Sequence, residues 1–167
     1  MSKPKHFNIH AINGDLNAHY LHRYDKLVGT NSVEPIVLLG EQALARVGLV
    51  RSLLTTLQCS TIYVGYNGQG NDICQWYFNP LALRYEHTKP SPEHPMILEP
   101  TRERALIEFM LLKEYFNEGI LIEGLKDYLY YEENPINKLH EEAKFWKFPL
   151  NIVDYWIKEA EEDLDEG

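Results

Sequence analysis

The hydrophobic and polar positions follow a strand-like pattern in much of the first hundred residues and a helix-like pattern after them. Three short segments, 61–66, 73–78 and 83–87, show a two-residue period and are rich in aromatic and β-branched side chains. That pattern is typical of strands with one buried face. The Asn- and Gly-rich residues 67–71 separate the first two segments and are typical of a hairpin turn. We therefore predict a small antiparallel meander.

One helix is predicted before the meander, over residues 41–57. Its apolar residues recur at steps of three and four, which places them on one buried face. Short extended segments are predicted at residues 35–40 and 96–98, and residues 1–35 have a weaker pattern with a possible helix at 16–28. The apolar face of the predicted helix consists of Leu44, Val47, Val50, Leu54 and Leu57.

From Thr101 onward the pattern predicts about four helices. Thr101 is a good N-cap for the first of these helices, a second covers residues 121–131, and Asn134-Pro135 is a typical start for the third. Pro149 ends the third helix. The last helix has apolar residues at alternating steps of three and four, namely Leu150, Val153, Ile157, Ala160 and Leu164.

These elements define an α+β protein, with a small antiparallel sheet and one preceding helix followed by a C-terminal bundle of about four helices. We expect a strand-containing part at residues 1–99 and a helical part at residues 100–167, packed as one compact domain. Residues 89–95 contain three prolines between the two parts, and we expect no strand pairing there.

Charge is distributed unevenly between the two parts. Of the 167 residues, the first hundred contain eight basic and eight acidic side chains, whereas residues 101–167 contain eight basic and seventeen acidic ones. The whole net charge of −9 therefore lies in the helical part, which disfavours direct nucleic-acid binding and favours a basic protein partner. The alternative is a solvated acidic helical surface that aids solubility. No apolar run is long enough to span a membrane, and Cys59 and Cys74 lack metal-site or redox spacing. We expect a cytoplasmic protein.

A catalytic or metal site is only weakly indicated. His19 and His22 would share one face of a helix and are the best pair of candidate metal ligands, but no third ligand is indicated. His140-Glu141-Glu142 lacks the second histidine of a metalloprotease motif, because position 144 is Lys. We predict no catalytic residue and no cofactor, with an enzyme that has a dispersed or metal-dependent site as an alternative.

Aromatic side chains cluster in the helical part, and some of them must reach the surface. Tyr130, Tyr131, Trp146 and Trp156 are our candidates for a partner-binding patch. The alternative is that these rings cover the edges of the core.

Two segments resemble the AbiEi-type antitoxins of bacterial type IV toxin–antitoxin systems. Residues 40–49 are similar to the segment that opens the shared domain of that family, and residues 100–108 resemble its Pro-Glu-Arg-Ala-Leu helix start, with Thr-Arg placed between Pro and Glu. The strands lie between the two segments and the helices follow them, as in the family. The matching residues are Gly40, Ala43, Leu44, Gly48, Leu49, Glu103, Arg104, Ala105 and Leu106.

The resemblance implies a non-enzymatic regulator that counters a nucleotidyltransferase-like toxin by binding a partner. Family members commonly have an N-terminal winged helix that binds DNA, but residues 1–35 are too short for one and contain no basic recognition helix. A DNA-binding transcriptional regulator is therefore a further alternative, and direct DNA binding is not expected. We expect Arg104 to have a structural role, bonding the preceding loop.

Overall fold

The computed structural model describes residues 9–10, 36–51, 56–60, 75–77, 84–92, 95, 97–113 and 116–166. Within these residues the strands precede a run of helices, so the predicted α+β class is confirmed. His19, His22 and the predicted strand at residues 61–66 lie outside the described residues.

Six short strands form the described part of the sheet. They are β1 (Ile9–His10), β2 (Ile36–Leu38), β3 (Thr56–Ser60), β4 (Gln75–Tyr77), β5 (Thr88–Pro90) and β6 (Ile97–Pro100). The pairing order is β1-β3-β2-β6-β5, and β4 also pairs with β3. The extended segments predicted at residues 35–40 and 96–98 correspond to β2 and β6.

The sheet is mixed, so the prediction of a purely antiparallel sheet is wrong, while the pairing of the predicted strand at residues 61–66 lies outside the described residues. β2 runs parallel to β6, and β3 runs parallel to β4. Parallel neighbours need a connection of about a dozen residues or more, and the segments between these strands are long enough. The sequence pattern identifies strand segments such as β4 but does not say which strands become neighbours.

The proline-rich segment contains an edge strand, contrary to the prediction that it would not pair. The predicted strand at residues 83–87 is displaced to Thr88–Pro90, which is antiparallel to β6. Proline is tolerated at this position because β5 is the last strand in the pairing order, where a missing N–H group need not break a ladder. The following residue, Ser91, donates its N–H to Ile97 O at 2.7 Å.

The first described helix, α1 (Gly40–Arg46), is much shorter than the predicted helix at residues 41–57. Gly48 ends it with a φ of +80°, a conformation that favours glycine. Gly48 N–H donates to Ala45 O at 3.1 Å and Leu49 N–H donates to Leu44 O at 2.9 Å, which together form a Schellman motif. In the sequence the apolar period continues past Gly48 to Leu57, which is why a longer helix was predicted. In the structure Leu57 belongs to β3.

Four helices follow the sheet, as predicted. They are α2 (Arg102–Leu111), α3 (Glu118–Tyr131), α4 (Pro135–Phe145) and α5 (Leu150–Glu166). Thr101 Oγ1 accepts the Arg104 N–H at 3.2 Å, which confirms Thr101 as the N-cap of α2.

One hydrophobic core joins the described strands to the helices. Leu38 and Ile97 from the sheet and Leu44 from α1 belong to the same buried cluster as Leu106 of α2 and Leu125 of α3. The stripe predicted on α5 faces this core, since Val153, Ile157 and Ala160 are buried. The packing of α1 against α2 and α3 brings residues 40–49 next to the start of α2.

Candidate functional site

The four aromatic residues predicted to bind a partner divide into two exposed and two buried rings. Tyr130 and Tyr131, at the end of α3, are 74% and 79% exposed. Their rings contact each other edge to face, with centroids 4.7 Å apart. Trp146 and Trp156 are only 8% and 3% exposed and belong to the core, so their assignment to a surface patch is wrong.

Burial of the two tryptophans follows from their neighbours. Trp146 donates its indole N–H to Glu142 Oε2 at 2.9 Å, and the Arg104 guanidinium lies 4.8 Å from its ring centroid. Trp156 precedes Ile157 on the buried side of α5. Since a helix face spans several neighbouring positions, the aromatic character of these residues does not indicate which rings face the core.

Acidic side chains surround the exposed tyrosines. Asp127, Glu132 and Glu133 lie within four residues of them, and we call these five residues the tyrosine face. The Glu132 carboxylate accepts a hydrogen bond from Lys138 Nζ at 2.7 Å, and this bond, with the nearby Arg102, lowers its pKa. Glu132 therefore remains ionised under neutral conditions.

A second part of this surface is a pair of adjoining cavities at the end of α1 and the start of α2, the larger one against β5 and β6 and the smaller one against the end of α3. The smaller cavity, of about 220 Å³, is lined by Tyr131, Asp127 and Glu132 among others. The larger cavity, of about 580 Å³, contains the basic side chains of Arg46, Lys89 and Arg102. Arg102 and Gly48 line both cavities, so the two are neighbours.

Ion pairs and backbone hydrogen bonds position the basic side chains of the larger cavity. Arg46 Nε donates to Glu99 Oε1 at 2.8 Å, and both side chains are largely buried. Arg102 Nε donates to Val47 O at 3.0 Å. This bond connects the start of α2 directly to the turn after α1.

His87 lies at the edge of the larger cavity with an unusual backbone conformation. Its φ is +61°, which is strained for a residue with a side chain. The Nδ1 atom contacts the buried Glu142 carboxylate at 2.7 Å from Oε1, and the ring packs 4.4 Å from Phe145. The backbone oxygen of His87 accepts the Thr101 N–H at 2.9 Å. The imidazole is therefore oriented by α4 and the backbone by the start of α2.

A fully buried ion pair lies beneath this histidine loop. Arg104 donates from Nε to Glu108 Oε1 at 2.5 Å and from Nη1 to Glu86 O at 2.7 Å, and neither ion-paired side chain reaches solvent. The second bond confirms the prediction that Arg104 holds the preceding loop. Sequence reasoning did not identify His87 or Glu142 as interacting residues, since they lie 55 positions apart and no local spacing relates them.

The residues that match the family segments occupy structural positions. Leu44 and Leu49 are buried at the end of α1, and Ala105 and Leu106 are buried in α2. The two segments meet in the fold, although they are far apart in the sequence. In α1, Gly40 has a φ of +65° and Ala43 is buried, and Gly48 ends the helix. Glu103 and Arg104 lie in the first turn of α2.

Within the part of the chain that the structure describes, no group of three or more His, Cys, Asp and Glu side chains is arranged to hold a metal ion. The described helices also include none that is long and apolar enough to cross a bilayer. No family model matches this chain, and no curated protein matches it significantly.

Proposed function

We propose that this protein is a non-enzymatic regulator that binds a basic protein partner through the tyrosine face. The observation that carries the proposal is the exposure of two adjacent tyrosine rings, 74% and 79%, within an acidic surface. Tyrosine is enriched among the residues that dominate binding energy, because its ring is large, rigid and able to form hydrogen bonds.

Charge complementarity supports a basic partner. The helical part holds the whole net charge of −9, and Glu132 and Glu133 directly follow the tyrosines. On the adjacent α5, Asp163 Oδ2 accepts a hydrogen bond from Lys126 Nζ of α3 at 2.6 Å, while Glu161 and Glu162 are exposed. An acidic surface of this kind attracts a basic partner and increases its association rate.

The resemblance of residues 40–49 and 100–108 to AbiEi-type antitoxins suggests the class of partner. We infer that this partner is a nucleotidyltransferase-like toxin, which a cytoplasmic antitoxin of this kind would counter. Such a toxin would need a basic patch to complement the tyrosine face. Direct DNA binding is not part of the proposal, because the net charge repels phosphates.

The experiment measures binding of the purified chain to the product of the adjacent gene by isothermal titration calorimetry. We expect the double variant Tyr130→Ala/Tyr131→Ala to weaken binding by about tenfold or more, since a tyrosine at the centre of an interface contributes about 1–2 kcal/mol. Raising the salt concentration should weaken binding of the native chain, because salt screens the charge attraction.

Tyr155→Ala is the matched control. Tyr155 is also an exposed tyrosine on an acidic helix, at 55% exposure, but it lies on α5 outside the tyrosine face. We expect this variant to bind like the native chain. If the adjacent gene product does not bind, or if it binds the double variant as tightly as the native chain, the proposal is wrong.

A further inference from the structure

We propose that the larger cavity binds a small anionic ligand through a phosphate or carboxylate group. The cavity has a volume of about 580 Å³, within the range of about 300–1,000 Å³ that is typical of small-molecule sites. The lining of this cavity contains no residue of the tyrosine face, although the two adjoin at Arg102, and binding to the cavity requires no protein partner.

The charge of the cavity lining is opposite to that of the protein as a whole. Arg46, Lys89 and Arg102 contribute three cations, whereas Glu99 is the one acidic side chain among the described residues that line the cavity. A concentration of positive charge in a concave site of a protein with a net charge of −9 produces a local field that attracts anions. A protein does not need cations grouped in a cavity in order to be soluble.

Strand register brings part of this charge together. Lys89 of β5 is directly opposite Glu99 of β6, and residues directly opposite in an antiparallel pair project from the same face of the sheet. Arg46 forms its ion pair with Glu99 from the end of α1. Among the described residues that line the cavity, the one carboxylate of Glu99 is outnumbered by three cations, so the lining has a net positive charge.

Arg102 approaches from the start of α2. Its Nε bond to Val47 O at 3.0 Å holds the guanidinium between the two cavities, and its Nη1 lies 3.5 Å from Glu132 Oε2. The contact with Glu132 is long and exposed, so it neutralises the guanidinium only weakly. Arginine is well suited to phosphate and carboxylate groups because its nitrogen atoms form a planar fork.

His87 provides an oriented imidazole at the edge of the cavity. Glu142 contacts its Nδ1 atom, and His87 is one of the residues that line the cavity. An imidazole held by a carboxylate in this way has a defined ring orientation. Arginine, lysine and histidine residues thus line one concave surface.

The test uses the purified chain alone, with pyrophosphate and citrate as probes at low ionic strength in isothermal titration calorimetry. Saturable binding of pyrophosphate would assign a phosphate ligand, and saturable binding of citrate would assign a carboxylate ligand. We expect Lys89→Gln to weaken binding by about tenfold, which is the loss of one charge-assisted hydrogen bond. If neither probe binds saturably, the proposal is wrong.

Glu99→Gln and Lys144→Gln make the test specific to the cavity. Glu99→Gln removes the one carboxylate of the described lining, the ion-pair partner of Arg46, so binding should become tighter, a gain that misfolding cannot produce. Lys144→Gln removes an exposed cation of α4 that does not line the cavity, and binding should be unchanged. An equal loss of affinity in Lys89→Gln and Lys144→Gln would show that the anion responds to overall charge only and would overturn the proposal.

Discussion

The buried Arg104–Glu108 ion pair should be one of the most sensitive positions of the fold. We consider the substitution Arg104→Met, which keeps an unbranched side chain but removes the charge. In the native structure Arg104 donates to Glu108 at 2.5 Å and to Glu86 O at 2.7 Å, and its guanidinium lies 4.8 Å from the Trp146 ring. The variant loses all three interactions, including the ion pair that Arg104 forms with the buried Glu108 carboxylate.

The expected loss is large compared with the stability of an ordinary domain. Removing one partner of a buried ion pair costs about 3–5 kcal/mol, mainly because the remaining charge is desolvated. The hydrogen bond that the charged Arg104 donates to Glu86 O is also lost. A bond of this type contributes about 1.5–3 kcal/mol, and this contribution is counted within the range above. Domains are typically stable by about 5–15 kcal/mol, so Arg104→Met should remove a substantial fraction of the free energy of unfolding.

Urea denaturation followed by far-ultraviolet circular dichroism measures this change. The double variant Arg104→Met/Glu108→Met removes both charges and is the matched comparison. We expect it to be more stable than the single variant by about 2 kcal/mol or more, because neither charge of the pair remains buried. If the single and double variants are equally stable, or if Arg104→Met is within about 1 kcal/mol of the native protein, the buried charge does not determine the stability of this region.

Two further predictions concern a phenol and a glycine. Tyr128 is buried and donates its hydroxyl hydrogen to Glu103 Oε2 at 2.7 Å, and burial followed by this bond raises its pKa well above the usual value. The Tyr128 hydroxyl therefore stabilises the folded state fully below a pH of about 10, the pKa of tyrosine in the unfolded chain, and this stabilisation is lost as the pH rises further. In urea titrations, the free energy of unfolding of Tyr128→Phe should therefore fall less steeply with alkaline pH than that of the native protein. If the free energy of unfolding of Tyr128→Phe falls with alkaline pH as steeply as that of the native protein, this assignment is wrong. Gly48→Ala should lower the free energy of unfolding by about 1 kcal/mol in thermal denaturation, because the φ of +80° is unfavourable for alanine even though its Cβ would meet nothing within 4 Å. A variant as stable as the native protein would show that this φ does not favour glycine here.

The proposed functions depend on different parts of the surface. Loss of partner binding in Tyr130→Ala/Tyr131→Ala concerns the tyrosine face, while the probe titrations of Lys89→Gln concern the larger cavity. Arg102 and Gly48 line both cavities, so a bound anion would lie close to the tyrosine face. The two experiments remain independent because the anion titrations contain no partner protein.

The sequence predicted the candidate sites only in part. Tyr130 and Tyr131 were predicted from the sequence and are exposed, but Trp146 and Trp156 belonged to the same prediction and are buried. No sequence feature separates the two pairs, because burial depends on which neighbouring helix covers each ring. The cavity was not predicted either, since Lys89 and Arg46 meet only through the pairing of β5 with β6 and the ion pair to Glu99.

The sequence by itself determined the elements whose signals are local. The N-cap Thr101 and the breaks at Pro135 and Pro149 act within one helical turn, so the four C-terminal helices follow from neighbouring residues. Tertiary structure decided the strand neighbours and the end of α1, because parallel pairing of β2 with β6 joins residues about sixty positions apart. Such contacts depend on which surfaces fit when the whole chain packs, and a pattern along the chain contains no information about that fit.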